Sequence, residues 1–171
     1  MVSTLLIPAV LAFFPALMAL SASMDLLTMT IPNRICAILV LGYFTLAATL
    51  RMPTEAIVLD LSCGLGILAI VFVMFSLGWI GGGDAKLAAA TALWLGWSSV
   101  LDFGVTAAIC GGFLTLAILG ARSMPLPAIL ERRAWIARLH HRKTGIPYGI
   151  ALAAAGIAQY PHSHIWAAAV A

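Results

Sequence analysis

The chain has 171 residues, of which 63% are hydrophobic and 9% charged, and its net charge is +3. A soluble domain carries roughly 25% charged residues, and a chain this short cannot hide so much apolar surface in one aqueous core, so lipid must be part of its solvent. The basic residues are few and gather mainly in one loop, which argues against nucleic-acid binding.

In lipid every backbone polar group needs an internal partner, which leaves helices or a closed barrel. The apolar runs are long, continuous and rich in Leu, Ala and Ile, without the alternation of barrel strands. The expected fold is therefore all-α and polytopic, with about six transmembrane helices in a single domain spanning residues 1–171. The first stretch, Thr4 to Ala22, contains Pro8 and Pro15, which membrane helices tolerate as kinks. Its end, Ala19-Leu20-Ser21-Ala22-Ser23, resembles a signal-peptide cleavage site, but no basic segment precedes the run and the run is long for a signal core. It is expected to stay as a span.

Asp25 follows directly, then Ile31-Pro32-Asn33, where Pro suits a first helical turn and Asn can cap a helix or hold a loop. The second and third stretches are Ile35 to Leu50 and Ala56 to Ile80. Gly81-Gly82-Gly83-Asp84 leads into the fourth, Ala85 to Val100, and the fifth runs from Phe103 to Ala121. The long loop from Arg122 to Gly145 opens with Met124-Pro125-Leu126-Pro127 and is basic, with Trp135 inside it. A helix lying on an anionic leaflet is one reading, but Trp135 and Leu139 fall on the polar side at helical spacing, so an ordinary topogenic loop fits equally well. The sixth stretch, Pro147 to Val170, is interrupted at Tyr160-Pro161-His162. It can end near Gln159 and leave His162 and His164 outside the membrane as exposed side chains.

With six spans, the loops after the first, third and fifth share one face. They hold Arg34, Lys86, Arg122, Arg132, Arg133, Arg138, Arg142 and Lys143, against Arg51 alone on the other face. By the positive-inside rule the basic face is cytoplasmic and both termini point outward. Cys36, Cys63 and Cys110 form no CxxC pair, so neither a disulfide framework nor a zinc-binding domain is indicated; they read as small apolar packing residues.

The carboxylates are Asp25, Glu55, Asp60, Asp84, Asp102 and Glu131. Near a hydrocarbon core a carboxylate costs about 2.5–3.5 kcal/mol, so each invites a reason. Glu55, Asp102 and Glu131 belong to solvated loops, and Asp60, one turn inside the third helix, can reach the interface or cap a neighbour. Asp25 and Asp84 differ because two spans separate them, which puts both on the cytoplasmic side. Two carboxylates converging there suit hydrolysis without a metal: the ionised one activates water while the protonated one serves the leaving group. They titrate as a unit. The three glycines before Asp84 remove side-chain bulk and permit positive φ, so an extended peptide backbone can approach the carboxylate. Lys86 can favour ionisation of Asp84 or anchor its helix at the headgroups.

Together these residues resemble the type IV prepilin peptidase family, a branch of the GxGD membrane aspartic peptidases. Three features carry the resemblance: Asp25 followed by Ile31-Pro32-Asn33, then Gly81-Gly82-Gly83-Asp84-Ala85-Lys86-Leu87, and Gly145-Ile146-Pro147-Tyr148-Gly149 opening the last helix. The resemblance implies that Asp25 and Asp84 are catalytic, with Gly81, Gly82, Gly83, Lys86, Pro32, Asn33, Pro147, Tyr148 and Gly149 shaping the site. It implies cleavage of the basic leader of a prepilin on the cytoplasmic side of the prokaryotic inner membrane, with no metal or organic cofactor and with pilus-assembly proteins as further partners. Longer relatives carry CxxC pairs between the first two helices and also methylate the new N-terminus. This chain lacks that insertion and looks like the compact form of tight-adherence (Flp-type) pilus systems, which puts methylation in doubt. The alternatives are a related peptidase acting on an archaeal preflagellin-like helix and a non-catalytic transporter or pilus-assembly scaffold. The transporter is distinguished by having no need for Asp25 and Asp84 on one face.

Overall fold

A computed structural model describes residues 2–170, with only the backbone for residues 2–7, 9 and 10. Among the described residues the secondary structure is helical throughout, without strands. Three helices are long and apolar enough to cross a membrane: α1 (Val2–Thr28), α3 (Thr54–Ser76) and α4 (Gly82–Arg122). Between the first two lies α2 (Asn33–Thr49), apolar and shorter. The remaining elements are α5 (Ala128–Glu131), α6 (Ala134–His140), α7 (Gly149–Gln159), a 3-10 turn over Tyr160–His162, and α8 (His164–Val170).

The first helix runs six residues beyond the expected Ala22, so Asp25 lies within α1 rather than after it. Nothing between Ser23 and Leu27 breaks a helix, and the stop comes only where Met29 adopts a left-handed φ of 57° and its N–H bonds to Asp25 O at 2.8 Å. The tight α2–α3 turn uses the same device at Arg51, with φ 53°.

The fourth and fifth expected spans are joined in α4, but not as one rod. A straight helix of 41 residues would extend about 61 Å, yet Asp84 near its start and Arg122 at its end line the same cavity. The reversal occurs at Gly96, whose φ of 67° and ψ of 179° belong to a region open in practice only to glycine. The expected break, between Val100 and Phe103, is instead helical, and Asp102 sits there exposed. The two limbs of α4 thus form a hairpin about Gly96.

The core joins α1, α2, the first limb of α4, and α7–α8 around Trp94, Tyr43, Tyr160 and Phe14, all essentially buried. Trp94 Nε1 donates to Leu39 O at 3.0 Å, so its polar atom is satisfied inside this cluster. A second cluster packs Cys63, Ala92, Leu95, Phe103 and Ala155 between α3, both limbs of α4 and α7. Outside, large apolar side chains such as Leu101 (79% exposed), Phe113 (72%) and Leu41 (67%) face outward, as lipid-facing residues do. Glu55 and Glu131 are exposed as expected, though they lie in the first turn of α3 and in α5 rather than in loops. The basic loop folds as the two short helices α5 and α6 rather than one amphipathic helix. The last stretch breaks where Tyr160-Pro161-His162 interrupts it, and α7 ends at Gln159.

Candidate active site

Asp25 and Asp84 reach one end of the bundle by different routes. Asp25 is buried (6% exposed), one turn before the end of α1. Asp84 is half-buried in the first turn of α4, three residues after the extended Gly81, where unpaired backbone N–H groups and the helix dipole favour a carboxylate. Ile31, in the α1–α2 turn, lies between them. A β-carbon on Gly83 would sit 3.3 Å from Ile31 Cβ, and one on Gly149 would sit 2.8 Å from Ile31 Cδ1.

The third expected feature joins them. Gly149 N–H donates to Asp25 Oδ2 at 2.8 Å, a buried bond between residues 124 apart in sequence. A β-carbon on Gly149 would lie only 2.8 Å from that oxygen, so the close approach requires glycine. Pro147 is fully buried beside it, whereas Tyr148 is exposed (38%), its ring pressed against Gly111 on the second limb of α4.

The glycine run and Lys86 make definite local contacts. None of Gly81, Gly82 and Gly83 uses positive φ; Gly81 is extended, the other two are already helical, and the left-handed glycines are Gly78 and Gly96. Their lack of side chains permits close approaches, Gly81 to Asp84 Oδ2, Gly82 to Phe75 and Gly83 to Ile31. Lys86 makes no ion pair with Asp84 among the described residues; its Nζ donates to Asn33 Oδ1 at 2.9 Å and ties α4 to α2. Asn33 therefore makes no capping bond, and Pro32 occupies the cap position with extended backbone.

Arg122, read from the sequence only as a topogenic charge, closes the site from the far end of α4. Its Nε donates to Leu139 O at 2.8 Å, and Nη2 donates to Thr144 O and Gly145 O at 3.0 Å each. These carbonyls precede the Pro147-Tyr148-Gly149 segment, so the guanidinium fork fixes the strap that delivers Gly149 to Asp25. Arg138 adds a bond to Leu27 O at 3.1 Å, fastening α6 to the end of α1. A cavity of about 770 Å³ opens beside this assembly, with Asp84, Arg122 and Tyr148 among its lining residues.

Asp60 is a fully buried carboxylate away from this site. It accepts from Tyr43 Oη at 2.7 Å on Oδ2 and meets His164 Nδ1 at 2.8 Å on Oδ1, and it abuts Gly96 at the hairpin. The expectation of an interfacial or capping Asp60, and of a simply exposed His164, is corrected: the two tie α3 to α8. A buried carboxylate bonded on both oxygens is a structural node. Among the described residues, no group of three His, Cys, Asp or Glu side chains converges as metal ligands do.

A family model described as the type IV leader peptidase family matches residues 12–116, a segment that includes Asp25 and Asp84 and ends before Gly149. No curated protein and no solved structure matches the chain.

Proposed function

The chain belongs to the type IV leader peptidase family, and from that premise we propose that it is a membrane aspartic endopeptidase whose acid–base pair is Asp25 and Asp84. The observation that carries the proposal is the placement of both at one end of the bundle, linked through Ile31, which packs on Gly83 beside Asp84 and on Gly149, whose N–H bonds to Asp25. Neither carboxylate is neutralised by an ion pair among the described residues, and the bond that Asp25 accepts comes from the backbone of Gly149. Asp25 is buried without a cation, and Lys86, the nearest basic residue in sequence to Asp84, is engaged by Asn33.

In the proposed reaction the ionised carboxylate takes a proton from water as the water oxygen adds to the scissile carbonyl carbon. The protonated partner gives its proton to the leaving nitrogen as the C–N bond breaks, leaving a new carboxyl on the leader and a free amine on the mature chain. Holding both groups on helix ends lets the polarity switch without moving the backbone. The substrate is a Flp-type prepilin, a basic leader joined to an apolar helix, and the cut falls at the cytoplasmic face of a prokaryotic inner membrane. The support for that side is the basic cluster at the same end, where Lys86, Arg122 and Arg138 bond to residues around the site. Pilus-assembly proteins are the expected partners, and no methyl transfer is assigned to the chain. Co-expression with a Flp-type prepilin tests the reading: processing by the wild type and none by Asp25→Asn or Asp84→Asn supports it. Processing by both variants at the wild-type rate would contradict the two-aspartate mechanism, whereas no processing by the wild type would favour the transporter or scaffold reading.

A further inference from the structure

Two lateral grooves open on this bundle, and they differ in one decisive respect. The first, of about 570 Å³, lies between α2 and α3 against the first limb of α4; it is lined by Cys36, Gly64, Leu65 and Leu93, with Lys86 its only charged residue. The second, of about 770 Å³, lies between α3 and the second limb of α4. Val71 and Met74 form one side, Gly104 and Ala108 the other, and Ala88 and Leu152 close it from behind. Asp84 lines the second groove and not the first.

We infer that the second groove seats the apolar helix of the substrate, and that Gly104 and Ala108 set how closely that helix can approach. This rests on the peptidase reading of Asp84 and goes beyond it by naming the face of the bundle through which substrate arrives. On the second limb of α4 the groove is lined by Val100, Phe103, Gly104, Ala107 and Ala108, about 12 Å of helix, and at its polar end by Arg122. Its charged residues, Asp84 and Arg122, lie together at one end, where the Thr144 and Gly145 backbone also borders it. An occupant apolar along its length and polar at one end matches that distribution, and its first residues beyond the membrane meet Asp84. Both wall residues are exposed, and a β-carbon on Gly104 would meet nothing within 4 Å, so the face is open to an incoming helix. Small residues there let two helix backbones come close, which is how membrane helices associate without a hydrophobic driving force. The first groove is lined by no carboxylate, so a helix seated there does not bring its polar end to Asp84.

The test is site-specific photo-crosslinking in membranes that co-express a Flp-type prepilin, with wild-type processing measured alongside. A benzophenone side chain replaces Ala108 or, separately, Leu65, in an Asp25→Asn background that leaves substrate uncut. Crosslinking of the prepilin from position 108 and not from 65 is the expected result. Crosslinking from 65, or from neither position while the wild-type enzyme cleaves the same prepilin, overturns the assignment. A wild type that cleaves no prepilin defeats the peptidase reading itself, which is a separate outcome. As a second readout, Gly104→Trp should raise KM for the intact prepilin by about tenfold or more with kcat within about twofold, because the indole occupies the helix seat and not the carboxylates. An unchanged KM in a folded Gly104→Trp protein also overturns it.

Discussion

Gly149→Ala tests the contact that joins the last helix to the carboxylate pair. The added methyl would start 2.8 Å from Asp25 Oδ2 and 2.8 Å from Ile31 Cδ1, where ordinary contact begins at 3.4 Å. Relief requires the strap to retreat by the difference, about 0.6 Å. The Gly149 N–H···Oδ2 bond, now 2.8 Å, would then stretch to about 3.4 Å, past the range in which such bonds hold. Losing a hydrogen bond to a charged group is worth about 1.5–3 kcal/mol, and if that falls on the transition state, kcat/KM drops by about 10- to 150-fold. Initial rates of leader cleavage in detergent micelles, with purified enzyme and a Flp-type prepilin, measure this directly. Gly120→Ala is the matched control, because a β-carbon there meets nothing within 4 Å, and it should keep the wild-type rate. A folded Gly149→Ala enzyme within about twofold of wild type would refute the claim that this bond positions Asp25 for catalysis.

Three further outcomes follow from the same structure. Tyr43→Phe removes one of the two bonds on the buried Asp60 and should lower stability by about 1.5–3 kcal/mol, read as a lower thermal midpoint in detergent with little change in the cleavage rate of the folded fraction. Gly96→Ala forces a side chain into a glycine-only conformation and against Asp60 Oδ1; a loss of at least about 1–3 kcal/mol is expected, and a melting curve equal to wild type would contradict the hairpin. Lys86→Ala should weaken cleavage without abolishing it. Because its ammonium acts through Asn33, the double variant with Asn33→Ala should be no worse than Lys86→Ala alone, whereas additive losses would show that the two residues act separately.

Much of this was legible in the sequence because the strongest signals are local. Hydropathy located α2 and α3 to within a few residues, and the Tyr160-Pro161-His162 interruption marked the end of α7 correctly. Asp25 and Asp84 stood out because a carboxylate beside an apolar run carries a cost whatever the fold. The Gly96 reversal was not legible: it lies inside the apolar run Leu95-Gly96-Trp97, while the polar Asp102 nearby looked like a loop. Nor was the Asp60 node, whose partners lie 17 and 104 residues away. Arg122 was hidden for another reason, since its acceptors are backbone carbonyls of Leu139, Thr144 and Gly145, which any side chains would supply.

The central claim is that Asp25 and Asp84 are the acid–base pair, and the most direct measurement is the rate of leader cleavage by Asp25→Asn and Asp84→Asn enzymes inserted at wild-type levels. Each amide keeps the shape of its carboxylate but can no longer exchange a proton, so each single variant should lose cleavage altogether. Wild-type cleavage by either variant would contradict the pair.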